Sequence, residues 1–218
     1  MSRKAKIAVV LSGCGVYDGA EIHEAVMTLL ALDRHGADAV CLAPDAPQHH
    51  VVNHLTGQET GESRNILVES ARIARGKIAP LAGFDAALYD GIVFPGGFGA
   101  AKNLCTLAFD GPGCAVNKDV EAAVTAMAAA GKPIGALCIS PALIARILGN
   151  VTVTIGNDAD TAQAIAAMGG THQQAGHGDV VIDRARKVAT SPCYMLDASI
   201  SQIADGADAV VRAVLEMI

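Results

Sequence analysis

Cys138 ends an apolar run, Pro133-Ile134-Gly135-Ala136-Leu137-Cys138, and a helix-permissive stretch beginning Ile139-Ser140-Pro141 follows at once. A thiol at the turn from a buried strand into a helix meets unpaired N–H groups and the positive end of the helix dipole. Both favour the thiolate, the form that attacks carbonyl carbon. A nucleophile on so sharp a turn needs small residues two positions either side, where backbones crowd. Ala136 and Ser140 meet that need, with Gly135 one further back, although the pattern departs from G-x-S-x-G. The N–H of Ile139 would then face a substrate oxygen. A second donor is expected from the Gly96-Gly97 pair of Pro95–Gly99, with Gly97 as the donor, because glycine lets backbone approach closely. A buried core thiol is the alternative reading of Cys138, since free cysteine is among the most buried residue types.

Glu24 is the best candidate partner for that thiol. It lies one turn into the first helix, after the Gly13–Gly19 loop, so its carboxylate can lean toward the same crevice. Charged, it would raise the thiol pKa; held protonated in an apolar pocket, it would donate to the thiolate and shuttle a proton. A first-turn glutamate also simply complements the helix dipole, and Glu21 competes for the catalytic role. Asp18 reads as an N-cap or turn residue and Cys14 as a turn residue between glycines. His23 adjoins Glu24, but successive helical residues point different ways. His49, His50 and His54 lie in a polar insertion without the carboxylate or cysteine pattern of a metal site. His172 and His177 lie in a Gly/Gln-rich loop, and nothing in the spacing assigns either a role.

The elements that must position these residues alternate strand and helix. Strands are predicted at 6–11, 38–43, 89–94 and 152–155, besides the one that delivers Cys138. A hairpin of 179–182 with 187–190 turns around 183–186. Helices are predicted at 20–35, 63–75 (Ser63 as N-cap), 117–130, 141–148, 161–168 and 197–217, the last weakened by Gly206. Units of this size imply a mostly parallel sheet with helices on both faces, in one domain spanning residues 1–218. The stretch 49–63 reads as a surface insertion. In such sheets ligands bind outside the carboxyl ends of the strands. Ser12–Gly15, Pro95–Gly99 and Cys138 all fall at such ends.

The bulk composition narrows the partners. The 218 residues are 51% hydrophobic but only 3% aromatic, so Val, Ile, Leu and Ala must fill the core. A net charge of −6 supplies no phosphate-neutralising surface, which argues against nucleic acid. No stretch approaches the roughly 18 apolar residues of a membrane span. The basic start is followed by too short an apolar run (7–11) for a secretory signal core, so a cytoplasmic location is expected. Six cysteines without a C-x-x-C pair read as free thiols rather than disulfides or zinc ligands.

Several blocks together resemble the ElbB family, a branch of the PfpI/ThiJ group in the class I glutamine amidotransferase-like superfamily. They are Ser12-Gly13-Cys14-Gly15-Val16-Tyr17-Asp18-Gly19 with Glu21-Ile22-His23-Glu24-Ala25-Val26, Asn53-His54-Leu55-Thr56-Gly57, Pro95 through Leu104, and Thr190-Ser191-Pro192 before Tyr194-Met195-Leu196. The similarity runs over nearly the whole chain. It implies a flavodoxin-like three-layer α/β sandwich with a nucleophile-elbow cysteine at Cys138 and an acidic partner at Glu24. It also implies a homodimer, a link to isoprenoid biosynthesis, and glyoxalase-type conversion of glyoxal to glycolate with no cofactor, neither glutathione nor metal.

One departure stands out. Many PfpI/ThiJ members place a histidine after the strand that follows the elbow, whereas Val153-Thr154-Ile155-Gly156-Asn157-Asp158 has none. A Cys–His–acid triad is therefore not expected, and neither is a glutaminase. The expected chemistry is addition of Cys138 to a small dicarbonyl substrate, with the oxyanion on the N–H groups of Gly97 and Ile139 and Glu24 moving the proton. A redox-sensing or regulatory protein that keeps the cysteine for oxidation is the alternative.

Overall fold

The computed structural model describes residues 3–218. Seven strands form its main sheet, in the order Val181–Asp183, Val188–Ser191, Ile134–Leu137, Gly91–Phe94, Lys6–Val10, Asp38–Ala43, Ile78–Pro80. Every neighbouring pair is parallel except the outermost, where Val181–Asp183 runs antiparallel to Val188–Ser191. The central strands Ile134–Leu137 and Gly91–Phe94 are buried throughout. That burial accounts for their continuous apolar sequence, since a parallel sheet covered on both faces has no solvent side to alternate with.

One face carries the helices Ile22–Arg34 and Ile200–Glu216, which seat Ala25, Leu32, Val210, Val211 and Val214 against Ile7, Val9 and Val93. The other carries Lys118–Ala129 and Ser140–Leu148, which bring Val120, Met127, Leu143 and Ile144 against Ile92, Phe94 and Ile134. The expected flavodoxin-like sandwich is therefore the observed architecture.

Several local expectations are corrected. The segment 152–155 does not extend the main sheet: only Thr152–Val153 is extended, and it pairs with Thr171–His172 in a separate two-stranded ribbon. The hairpin strand Val181–Asp183 occupies the sheet edge instead. The edge strand Ile78–Pro80 was not anticipated, because three residues are too few to show a period. The second helix begins at Ile66 rather than Ser63, and Asn65 caps it by accepting from the Val68 N–H at 3.0 Å.

The final helix runs unbroken through Gly206, whose missing side chain lets it approach the strand end. A Cβ at Gly206 would lie 2.8 Å from Ser191 Oγ and 3.1 Å from Cys193 Sγ. The 49–63 stretch lies largely at the surface, with a short hairpin of Val52–Asn53 and Gln58–Glu59. It also braces the loop beside the site. The Val52 N–H donates to Asp18 Oδ2 at 2.7 Å, and the Tyr17 N–H donates to His54 Nε2 at 3.2 Å.

Candidate active site

The strand Ile134–Leu137 ends in a turn that places Cys138 at φ +59°. A non-glycine residue in this region is strained, and persists only where its surroundings over-determine it. Here they do so from two sides. The Cys138 N–H donates to Ser191 O at 3.0 Å, and Ser140 Oγ donates to Pro95 O at 2.8 Å, tying the elbow to both flanking strand ends. Ser140–Leu148 then starts at once, with Pro141 in its first turn, where the missing N–H costs nothing.

Glu24 reaches the same point from the opposite helix. Its side chain is fully buried; Oε2 accepts from the Gly96 N–H at 2.9 Å and Oε1 from the Tyr194 N–H at 3.2 Å. Glu21 does something else: as N-cap of Ile22–Arg34 it accepts from the Glu24 N–H at 2.7 Å. The Glu21 carboxylate thus holds the helix end while also bordering the cavity beside the site, and Glu24 turns inward beside Gly96 and Cys138. Burial, followed by the negative charge of Glu21, pushes the Glu24 carboxyl up to about 8, while hydrogen bonds from Tyr194, Gly96 and Cys138 pull the other way. Glu24 therefore carries a proton near neutral pH.

The electrostatics of Cys138 differ from the simple elbow expectation. Burial first, then Glu24, push its thiol well above the ordinary value; hydrogen bonds from the Gly97 and Ile139 N–H groups oppose this without prevailing. The helix end alone does not generate a thiolate here, because Cys138 is only 7% exposed and its thiol lies beside a carboxyl group. The two acids are best treated as one unit, whose first proton leaves more easily than the second.

Gly96 and Gly97 earn their places separately. A Cβ at Gly96 would collide with Cys138 Cβ and sit 2.8 Å from Glu24 Oε2. Gly97 has φ +94°, and a Cβ there would collide with the Glu21 backbone. Of the expected donors, the Gly97 and Ile139 N–H groups both favour the ionised Cys138 sulfur, while the Gly96 N–H serves Glu24. The contributions of Gly96 and of the Tyr194 N–H to holding Glu24 were not foreseen. Neither was the turn at Cys193, also at positive φ (+42°) and without a glycine to signal it.

The site opens into a cavity of about 570 Å³, onto which Cys138, Glu21, Gly97 and Ile139 all face. None of the seven histidines lines it. His23 bonds to the Tyr194 hydroxyl at 2.8 Å, and His172 sits in the outlying ribbon. Cys14 lies in the Gly13–Gly19 turn and does not line the cavity either. Among the described residues no group of three or more His, Cys, Asp or Glu side chains is placed to hold a metal ion.

No protein-family model matches the chain. It is 51% identical over 223 residues to the human "Glutamine amidotransferase-like class 1 domain-containing protein 3, mitochondrial", covering 98% of this chain and 83% of that protein. Among solved structures, the isoprenoid biosynthesis protein with an amidotransferase-like domain from Ehrlichia chaffeensis superposes with a TM-score of 0.92. It is 38% identical, over 98% of this chain and 99% of its own. Glyoxalase III from Candida albicans shares the fold at a TM-score of 0.61 and 14% identity, over 98% and 97% of the two chains.

The cytoplasmic location expected above is overturned. The human relative is named mitochondrial. So are the ES1 protein homolog of Rattus norvegicus (48% identical, covering 98% of this chain and 84% of that one) and the ES1 protein of Danio rerio (36%, covering 97% and 85%). The expectation rested on a missing secretory core and a missing apolar span, and neither bears on organellar import.

Proposed function

The chain belongs to the glutamine amidotransferase-like class 1 family, and from that premise we propose that it is a cofactor-independent glyoxalase-type enzyme of the ElbB branch, converting an α-oxoaldehyde to the 2-hydroxy acid. The observation that carries the reading is the pairing of a strained elbow thiol with a buried glutamic acid whose pKa lies at about 8. A carboxyl group held near the working pH both gives and takes protons, which an internal proton transfer between adjacent carbons demands.

In this mechanism the ionised form of Glu24, the minor form below about pH 8, takes the Cys138 proton and the sulfur adds to the aldehyde carbon. The resulting oxyanion rests on the N–H groups of Gly97 and Ile139, and Glu24 returns the proton to it, completing the hemithioacetal. Glu24 then removes the proton from that carbon, giving an enediolate, and returns it to the neighbouring carbon, while the hydroxyl proton of the first carbon passes to the oxygen of the second, leaving a thioester. Water cleaves the thioester to release the hydroxy acid and the free thiol. The first carbon is oxidised and the second reduced, so no external oxidant or reductant enters. With glyoxal the product is glycolate.

Two other readings are weaker. A glutaminase needs a base beside the thiol, and no histidine faces the cavity. A peroxide sensor needs an exposed, acidic thiol, whereas burial and Glu24 hold the Cys138 pKa high. The deciding measurement is glycolate formation from glyoxal by the wild-type protein and by Cys138→Ala. Turnover that survives the substitution overturns the proposal.

A further inference from the structure

The cavity above Cys138 is far larger than glyoxal. At about 570 Å³ it lies in the range that encloses ligands of many heavy atoms, so the smallest dialdehyde leaves most of it unfilled. Its walls are mainly apolar: Val16, Phe98, Leu107, Ala164 and Met195 surround the approach to the thiol. Phe98 is 50% exposed and stands beside this apolar approach, its ring available to a bound ligand.

The charges around this space all have one sign. Glu21, Asp158 and Asp160 line it, and among the described residues no Lys, Arg or His does. Asp158 is held in place as N-cap of Ala159–Ala167, accepting from the Thr161 N–H at 2.8 Å. A substrate carrying a carboxylate or phosphate would meet these groups with no cation in the lining; Lys102, whose Nζ lies 5.3 Å from the Phe98 ring centroid, donates to Tyr17 O at 3.0 Å.

We propose that the site is shaped for α-oxoaldehydes bearing an uncharged apolar substituent, and that it discriminates against anionic ones of the same length. The proposal rests on the glyoxalase-type reading for its chemistry and adds the substrate class. The aldehyde carbon would sit at Cys138, with the substituent lying along Phe98, Leu107 and Met195 toward the acidic rim.

The test has two arms. In the first, kcat/KM is compared for methylglyoxal, butylglyoxal and an α-oxoaldehyde of equal length ending in a carboxylate. Each added methylene should raise kcat/KM by up to about fourfold, the ~0.8 kcal/mol of burying that group expressed as a ratio. Butylglyoxal should therefore exceed methylglyoxal by roughly tenfold or more, and the carboxylate analogue should fall below both. The double variant Asp158→Asn with Asp160→Asn should raise activity toward the carboxylate analogue by roughly threefold to tenfold. Asn remains a competent N-cap, so the helix should stand.

The second arm needs no turnover. Alkylation of Cys138, followed by mass spectrometry, should be faster with N-hexyl iodoacetamide than with iodoacetamide, and slowest with iodoacetate. If that order holds while no oxoaldehyde is converted, the glyoxalase reading fails and the assignment of the cavity stands. If conversion occurs but neither chain length nor charge affects kcat/KM or labelling, the assignment is overturned and the glyoxalase reading stands.

Discussion

The backbone N–H of Gly96 donates to Glu24 Oε2 at 2.9 Å, and the same glycine lies against the Cβ of Cys138. One residue without a side chain thus sets how closely the acid and the nucleophile approach. Gly96→Ala should destabilise the protein by about 1–3 kcal/mol, the usual cost of overpacking a tight core. It should also abolish turnover. Urea unfolding and the glycolate assay check this; a fully active Gly96→Ala protein would show that the close approach is not needed.

Glu24→Gln removes the proton carrier but keeps the size of the side chain. Loss of general acid–base catalysis should lower kcat by about 10²–10⁴-fold. The N–H groups of Gly96 and Tyr194 now face one oxygen and one NH₂ in place of two oxygens, so a somewhat lower Tm should accompany the kinetic loss. Circular dichroism should still report the native fold.

The raised Glu24 pKa has a stability consequence with a definite sign. Between the ordinary value of 4.5 and about 8, the folded protein holds a proton that the unfolded chain has lost. Stability is therefore greatest below pH 4.5 as far as this group is concerned. It declines by ~1.4 kcal/mol per pH unit across the window and levels off above about 8. Thermal melts over that window should show Tm declining with pH in the wild type, by roughly 3 °C per unit, and a distinctly flatter profile in Glu24→Gln. Parallel profiles would mean that Glu24 ionises normally.

Activity should run the other way. Because burial holds both groups in their protonated forms, kcat/KM should rise with pH as the Cys138–Glu24 unit loses its first proton, with an apparent pKa near 8 that belongs to the pair. A rate that is flat from pH 6 to 9 would contradict this.

Cys138 at φ +59° stores strain that any L side chain keeps. Cys138→Gly should consequently be at least as stable as Cys138→Ala, since relief of about 1–3 kcal/mol outweighs the ~0.5–1 kcal/mol entropic cost of glycine. Gly206→Ala should show the reverse balance. Alanine gains about 1 kcal/mol in helix propensity, but its methyl would press on buried Ser191 and Cys193, so a net loss of stability is expected in denaturant titration.

The amino-acid order by itself determined the sandwich and the elbow. Continuous apolar runs at 91–94 and 134–137 mark strands buried on both faces, and small residues around Cys138 mark a turn where backbones crowd. These signals are local, so they survive without coordinates. Glu24 stood out as the better partner for the thiol, with Glu21 competing, but its surroundings were not legible, because the two lie within one helical turn and differ only in direction. The cap formed by Glu21 and the strand-end loops that deliver Gly96 and Tyr194 set them. The ionisation of Cys138 was likewise beyond the sequence: position at a helix end argued for a thiolate, whereas burial beside a second acid outweighs that dipole. The outlying ribbon of Thr152–Val153 with Thr171–His172 has the same origin, since a β-branched run specifies extension but not its partner. Local pattern determined which segments bend, extend or coil; only the packing of distant segments set the solvation and charge around each atom, and so decided what the site's residues can do.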